Sequence, residues 1–237
     1  MENIQNFKVD DIPSSSFNLF LGKRRSGKSV LCEYMISQMV ENKMLDQIFL
    51  FSPTDAGFNI IPDRESRFTS IEPLFDIIDN YKRMNEYNKI VERKSDKIKL
   101  STAIIIDDFA VELKSKGFNI LETLAVLGRH YSYDPLNLHF FILSQSLTKV
   151  PRVVRLNVDL MFFNAIASMK ELEMILEENF YVVSSSRDGK KEGRELYEQL
   201  VKAKDFQFIA ILNYKQNCRT HGDYIRTYTA DIKKLKL

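Results

Sequence analysis

Apolar residues along this chain fall into two kinds of pattern. Phe17–Leu21, Gln47–Phe51, Ala103–Ile106, Leu138–Leu143, Val158–Phe163 and Phe206–Leu212 are short, nearly unbroken runs rich in Ile, Phe, Leu and Val. Their length and composition predict strands buried on both faces. Between them, segments from Lys28 to about Asn42, Pro73–Glu92, Asn119–His130, Met169–Asn179 and Gly193–Lys204 repeat apolar residues every third or fourth position, as in Leu74, Ile77, Ile78, Tyr81 and Met84. That spacing predicts helices with one buried stripe. Strands alternating with helices imply an α/β fold with a mainly parallel sheet flanked by helices. Residues 1–14 read as an N-terminal lead-in ending at Pro13 and a serine cluster, and residues 53–72 as irregular. Thr220–Ala230 leans towards strand. The expected organisation is a core over residues 15–165 and a small C-terminal α/β extension, residues 166–237, of the same domain.

Composition narrows the class. Of the 237 residues, 44% are hydrophobic and 28% charged, the balance of a water-soluble globular protein large enough for a sizeable core. No apolar run reaches the ~18 residues that span a bilayer, so no membrane partner is expected. The start, Met1-Glu2-Asn3-Ile4-Gln5-Asn6, lacks the basic and apolar stretches of a secretory signal. Two cysteines, Cys32 and Cys218, make no disulfide framework or metal-ligand spacing. A reducing cell interior is the expected location. The net charge of +2 announces no nucleic-acid partner by itself. Residues 81–100 carry seven basic and three acidic side chains, and residues 201–237 carry eight and three. Such stretches follow phosphate backbones or form solvated helix faces.

The chemistry is concentrated after the first strand. Gly22-Lys23-Arg24-Arg25-Ser26-Gly27-Lys28-Ser29 fits G-x-x-x-x-G-K-[ST], between a predicted strand and a predicted helix, as a phosphate-binding P-loop requires. Glycines at both ends let successive N–H groups turn onto phosphate oxygens. The helix start continuing into Val30 adds its positive pole. Lys28 is placed to reach the β- and γ-phosphates and Ser29 to ligate Mg²⁺. Residues 22–30 are thus the candidate ATP cradle.

Further polar residues end other apolar strands. Asp107 and Asp108 follow Ile104-Ile105-Ile106, the pattern of a Walker B strand, with Asp107 toward Mg²⁺ and Asp108 toward the attacking water. Asp108 stands where many hydrolytic P-loop ATPases carry the longer Glu. Gln145 closes the Leu138–Leu143 strand and is a candidate γ-phosphate sensor. Arg129, in Gly128-Arg129-His130, and Arg155, in Pro151-Arg152-Val153-Val154-Arg155-Leu156-Asn157, are candidate arginine fingers, ranked ahead of Arg25 within the loop itself. For any single arginine a surface ion pair is the ordinary role. His130, His139 and His221 lack metal-ligand spacing and read as structural.

In this order — P-loop, apolar strand with Asp-Asp, Gly-Arg-His, apolar strand ending Ser-Gln, then Pro-x-x-x-Arg-x-Asn — the elements resemble the FtsK–HerA superfamily. Within it, they resemble genome-packaging ATPases of double-stranded DNA viruses of the poxvirus, large DNA virus and virophage–polinton type. The resemblance covers about residues 15–165. It implies a RecA-like core with the strand ending at Gln145 between those ending at Gly22 and Asp107. It also implies ATP and Mg²⁺ as cofactors, a homo-oligomeric ring of five or six subunits, and sequence-nonspecific translocation of duplex DNA into a capsid through a portal vertex. Location would be the host cytoplasm, a virus factory or the virion. The Arg93–Lys99 segment and Glu112–Gly117, with Lys114 and Lys116, are candidate channel loops. Competing readings are another P-loop enzyme such as a nucleotide kinase, or a non-catalytic nucleotide-gated scaffold. The first needs a clustered arginine lid, which the sequence lacks.

Overall fold

The computed structural model describes residues 4–54, 57–61, 66–107, 120–127, 135–166, 168–181 and 187–235. Its strands are β1 (Gln5–Asn6), β2 (Ser16–Leu21), β3 (Gln47–Phe51), β4 (Arg67–Phe68), β5 (Leu100–Asp107), β6 (Leu136–Ser144), β7 (Leu160–Phe163), β8 (Phe208–Leu212) and β9 (Ile225–Tyr228). They form one nine-stranded sheet in the order β1-β9-β8-β7-β2-β6-β5-β3-β4. The helices are α1 (Lys28–Glu41), α2 (Pro73–Ile90), α3 (Ile120–Leu127), α4 (Arg152–Asn157), α5 (Met169–Ile175), α6 (Arg187–Lys202) and α7 (His221–Tyr224). No helix among the described residues is long and apolar enough to cross a membrane.

The central strands behave as the unbroken apolar runs predict. Every residue of β2, β7 and β8 is buried, and Ile104, Ile105, Phe141 and Leu143 of β5 and β6 are sealed between helical layers. From β4 to β7 all pairings are parallel, with Leu21 opposite Ser144 and Phe163, and Asp107 opposite Leu143. The C-terminal ends of β2, β5, β6 and β7 therefore line up along one edge. β6 lies between β2 and β5, the arrangement that the sequence resemblance implied.

Several expectations need correction. The sheet is mainly parallel, as expected, but β8 pairs antiparallel with both β7 and β9. The lead-in carries β1, which pairs with β9, and Phe7 packs edge-on against Phe162 and Tyr228. A two-residue strand has too little pattern to be read from sequence. The irregular stretch contains β4, and Arg67 ties it down by donating to the carbonyls of Gly57, Phe58 and Ile61. The Met169–Asn179 helix passes after Ile175 into a π-helical turn, Leu176–Phe180. β8 begins at Phe208, not Phe206. The stretch 220–230 opens as the short helix α7, where the Asp223 carboxylate accepts from the Thr220 and Arg219 N–H groups.

Candidate functional site

The P-loop connects β2 to α1. Arg25 and Gly27 both take left-handed backbone angles, φ 64° and 89°, and Gly27 is the residue preceding the first turn of α1. A side chain at Gly22 would collide with the Ser26 hydroxyl, which tucks beneath the loop. Three bonds brace the loop: Ser26 N–H to Lys23 carbonyl (3.1 Å), Gly22 N–H to Ser144 carbonyl (3.2 Å), and Asn164 side-chain amide to Ser26 carbonyl (3.1 Å). The P-loop is thus bonded to the ends of both flanking strands, β6 and β7.

Lys28 begins α1 and is only 6% exposed. A lysine so buried calls for an anion beside its ammonium. Ser29 follows, and its hydroxyl lies 3.5 Å from the Asp107 carboxylate at the end of β5. A hydroxyl and a carboxylate facing each other at that separation are hard oxygen donors of the kind Mg²⁺ takes, with water and phosphate oxygens supplying the rest. Among the described residues no cluster of three or more His, Cys, Asp or Glu could hold a metal ion. Beneath them, Cys32 is fully buried. Its thiol is pushed well up in pKa by burial first, then by the Asp107 and Glu33 carboxylates, so it stays protonated and inert.

Gln145 follows β6 on the same edge, exposed, one residue from the Ser144 carbonyl that receives the Gly22 N–H. The structure therefore brings residues 22–30, Asp107 and Gln145 together. Asp108, Arg129 and the Glu112–Gly117 loop lie outside the described residues. Arg155 is engaged within its own chain: it is 8% exposed, donates twice to Glu178 (3.0 and 3.3 Å) and once to the Val150 carbonyl (2.8 Å). The Arg93–Lys99 segment precedes β5 and so lies at the opposite sheet edge from Asp107. Asn88 clips it back to α2 through two bonds with Ile98. A cleft of about 600 Å³ opens between α1 and the β1–β9 edge, but no P-loop residue lines it.

Asn164 is the site residue that sequence reading missed. Its signal was available: like Asp107 and Gln145, it is a polar residue ending an apolar strand, here Leu160–Phe163.

The fold is the RecA-like P-loop fold. Similar solved structures include the genome packaging NTPase B204 of Sulfolobus turreted icosahedral virus 2 in complex with ATPγS, with a TM-score of 0.57 and 16% identity over 91% of this chain and 97% of that one. The pCW3 conjugation coupling protein TcpA with ATPγS gives a TM-score of 0.59 at 16% identity, over 91% of this chain and 60% of that one. The type VII secretion ATPase EccC of Thermomonospora curvata gives 0.54 at 16%, over 92% of this chain and 25% of that one. No family model matches the chain, and no curated protein does.

Proposed function

We propose that the protein is an ATP-hydrolysing motor of the FtsK–HerA type that drives double-stranded DNA into a viral capsid. The observation that carries this reading is the placement of Lys28 and Ser29 opposite Asp107, with Gln145 between them at the end of β6. That set stands in a fold whose likeness to a viral genome packaging NTPase extends over 97% of that chain.

In this reading the loop amides and the Lys28 ammonium hold the β- and γ-phosphates, and their positive field offsets charge gathering there during cleavage. Ser29 and Asp107 would hold Mg²⁺, which when bound supplies charge neutralisation at the β- and γ-oxygens. Asp108 orients water for in-line attack and takes its proton. Gln145 touches the γ-phosphate and loses that contact on cleavage. Because the Gly22 N–H bonds to the carbonyl one residue before Gln145, the loss is felt in both loop and strand. Arg129 is the candidate to enter a neighbouring subunit's site in a ring of five or six, since the Arg155 guanidinium is engaged within its own chain. DNA is held through its backbone, without base reading, so its grip is salt-sensitive and sequence-tolerant. Location is the host cell interior or the virion.

The test is ATP turnover by the purified chain with and without duplex DNA. Turnover is expected to rise on adding duplex of any sequence and to vanish in Lys28→Ala. Nucleotide binding with no response to any DNA would defeat the motor reading, and phosphate transferred to a nucleotide acceptor would favour a kinase.

A further inference from the structure

Phe206 is costly where it stands. It lies in the turn between α6 and β8, in Lys204-Asp205-Phe206-Gln207, and the residue is 65% exposed. Its backbone is left-handed, φ 56°, a conformation that bulky non-glycine residues avoid. A hydrophobic ring left in water on a strained backbone contributes little to folding. Strain of this kind persists where a site uses it.

The ring's location says which site. A Cβ built on Gly27 would meet the Phe206 ring edge at 3.5 Å, so the ring leans over the P-loop residue just before Lys28. It does so from the β7–β8 side, because β8 is antiparallel and its N-terminal end comes up beside the C-terminal end of β7, with Ile209 opposite Phe163. Ser29 and Asp107 face each other on the other side of the loop, towards β5. A triphosphate whose terminal phosphate lies between Lys28 and Asp107 must leave the loop away from β5, and that direction passes Phe206. From β5 to β8 is four interstrand steps, roughly 19 Å at the usual spacing, the scale of an extended nucleoside triphosphate.

We propose that Phe206 is the platform on which the purine ring of the bound nucleotide stacks. This rests on the P-loop binding a nucleoside triphosphate, as proposed above. Stacking uses the π-face that every base has, so it contributes affinity with little discrimination between adenine and guanine. The exposed face of the ring is then covered by ligand, and the left-handed turn is what lifts it clear of β8.

The test compares ATP with inorganic tripolyphosphate, which has the phosphates and no base, on the full chain with Mg²⁺. Phe206→Ala is expected to weaken ATP and GTP alike by roughly five- to 150-fold, the usual range for one base–aromatic stack. Tripolyphosphate affinity should be unchanged, and Phe206→Tyr should restore ATP. Phe206→Gly relieves the backbone strain, so its melting temperature should not fall while ATP weakens equally. The chain has no tryptophan, so Phe206→Trp installs a single reporter whose fluorescence should change with ATP and not with tripolyphosphate. Equal losses for ATP and tripolyphosphate would reassign Phe206 to shaping the loop, and an unchanged ATP affinity would remove it from the site; either result overturns the proposal. A chain that binds neither ligand overturns the nucleotide reading instead.

Discussion

At the level of single residues, Arg155 and His139 show how polar side chains are used away from the phosphate loop. Arg155 joins α4 to the π-turn through Glu178 and to the chain before α4 through the Val150 carbonyl. Replacing it with Met leaves Glu178, about one-fifth exposed, without its cation, and the Val150 carbonyl without a donor. A loss of roughly 2–3 kcal/mol is expected, somewhat below that for a fully buried pair, and thermal unfolding of Arg155→Met checks it. If Arg155 instead acts across a subunit boundary, turnover falls while the melting temperature holds. His139 sits in β6 with its Nδ1 on the Ser16 hydroxyl, and burial lowers its pKa to about 4. The unfolded chain takes up this proton near pH 6.5 and the native one only near pH 4. Stability is therefore intact above about pH 6.5, declines as pH falls towards 4, and levels off below, by on the order of 3 kcal/mol from this residue. Urea unfolding across that range should show the slope, and His139→Phe should flatten it.

Among the elements, α6 and the π-turn meet at Gly193. A Cβ there would lie 3.1 Å from the Phe180 carbonyl oxygen and 3.3 Å from its Cβ. Alanine normally stabilises a helix interior by about 1 kcal/mol over glycine. Here the obstruction includes a backbone atom, which has no rotamer to change. Gly193→Ala is expected to lower the melting temperature, against the propensity trend, and a scanning-calorimetry comparison decides it. The π-turn itself was not legible in Met169–Asn179, because its apolar spacing is equally helical either way. The core strands were legible for the opposite reason: runs such as Ile104-Ile105-Ile106 have no other stable place than between two layers. β1 and β4 are two-residue strands set by their neighbours, and Phe206 was read as strand because apolar spacing does not report a backbone angle. The phosphate loop could be read outright, since its glycines and Lys-Ser pair carry their geometry with them. Asn164 carries the same strand-ending signal as Asp107 and Gln145 but a weaker one, since one asparagine after an apolar run has many ordinary uses.

For the whole molecule, the motor reading makes one chain an incomplete machine. Each subunit would lend an arginine to its neighbour, so subunits lacking Arg129 and subunits lacking Lys28 have complementary defects. Mixing Arg129→Ala with Lys28→Ala chains is expected to restore part of the turnover that neither shows alone, as measured by phosphate release. No recovery, or a monomer at every nucleotide and protein concentration by light scattering, counts against a ring.

The two outermost strands bear on how such an assembly could be joined. Among the described residues, β1 and β4 each offer only two residues of backbone, too little to template pairing with another chain. Neighbours would then have to meet through side chains of helices and loops, contacts that can slip and re-form. A continuous intersubunit ladder would lock the ring rigid, whereas a circle that fires its sites in turn must be able to shear at every seam.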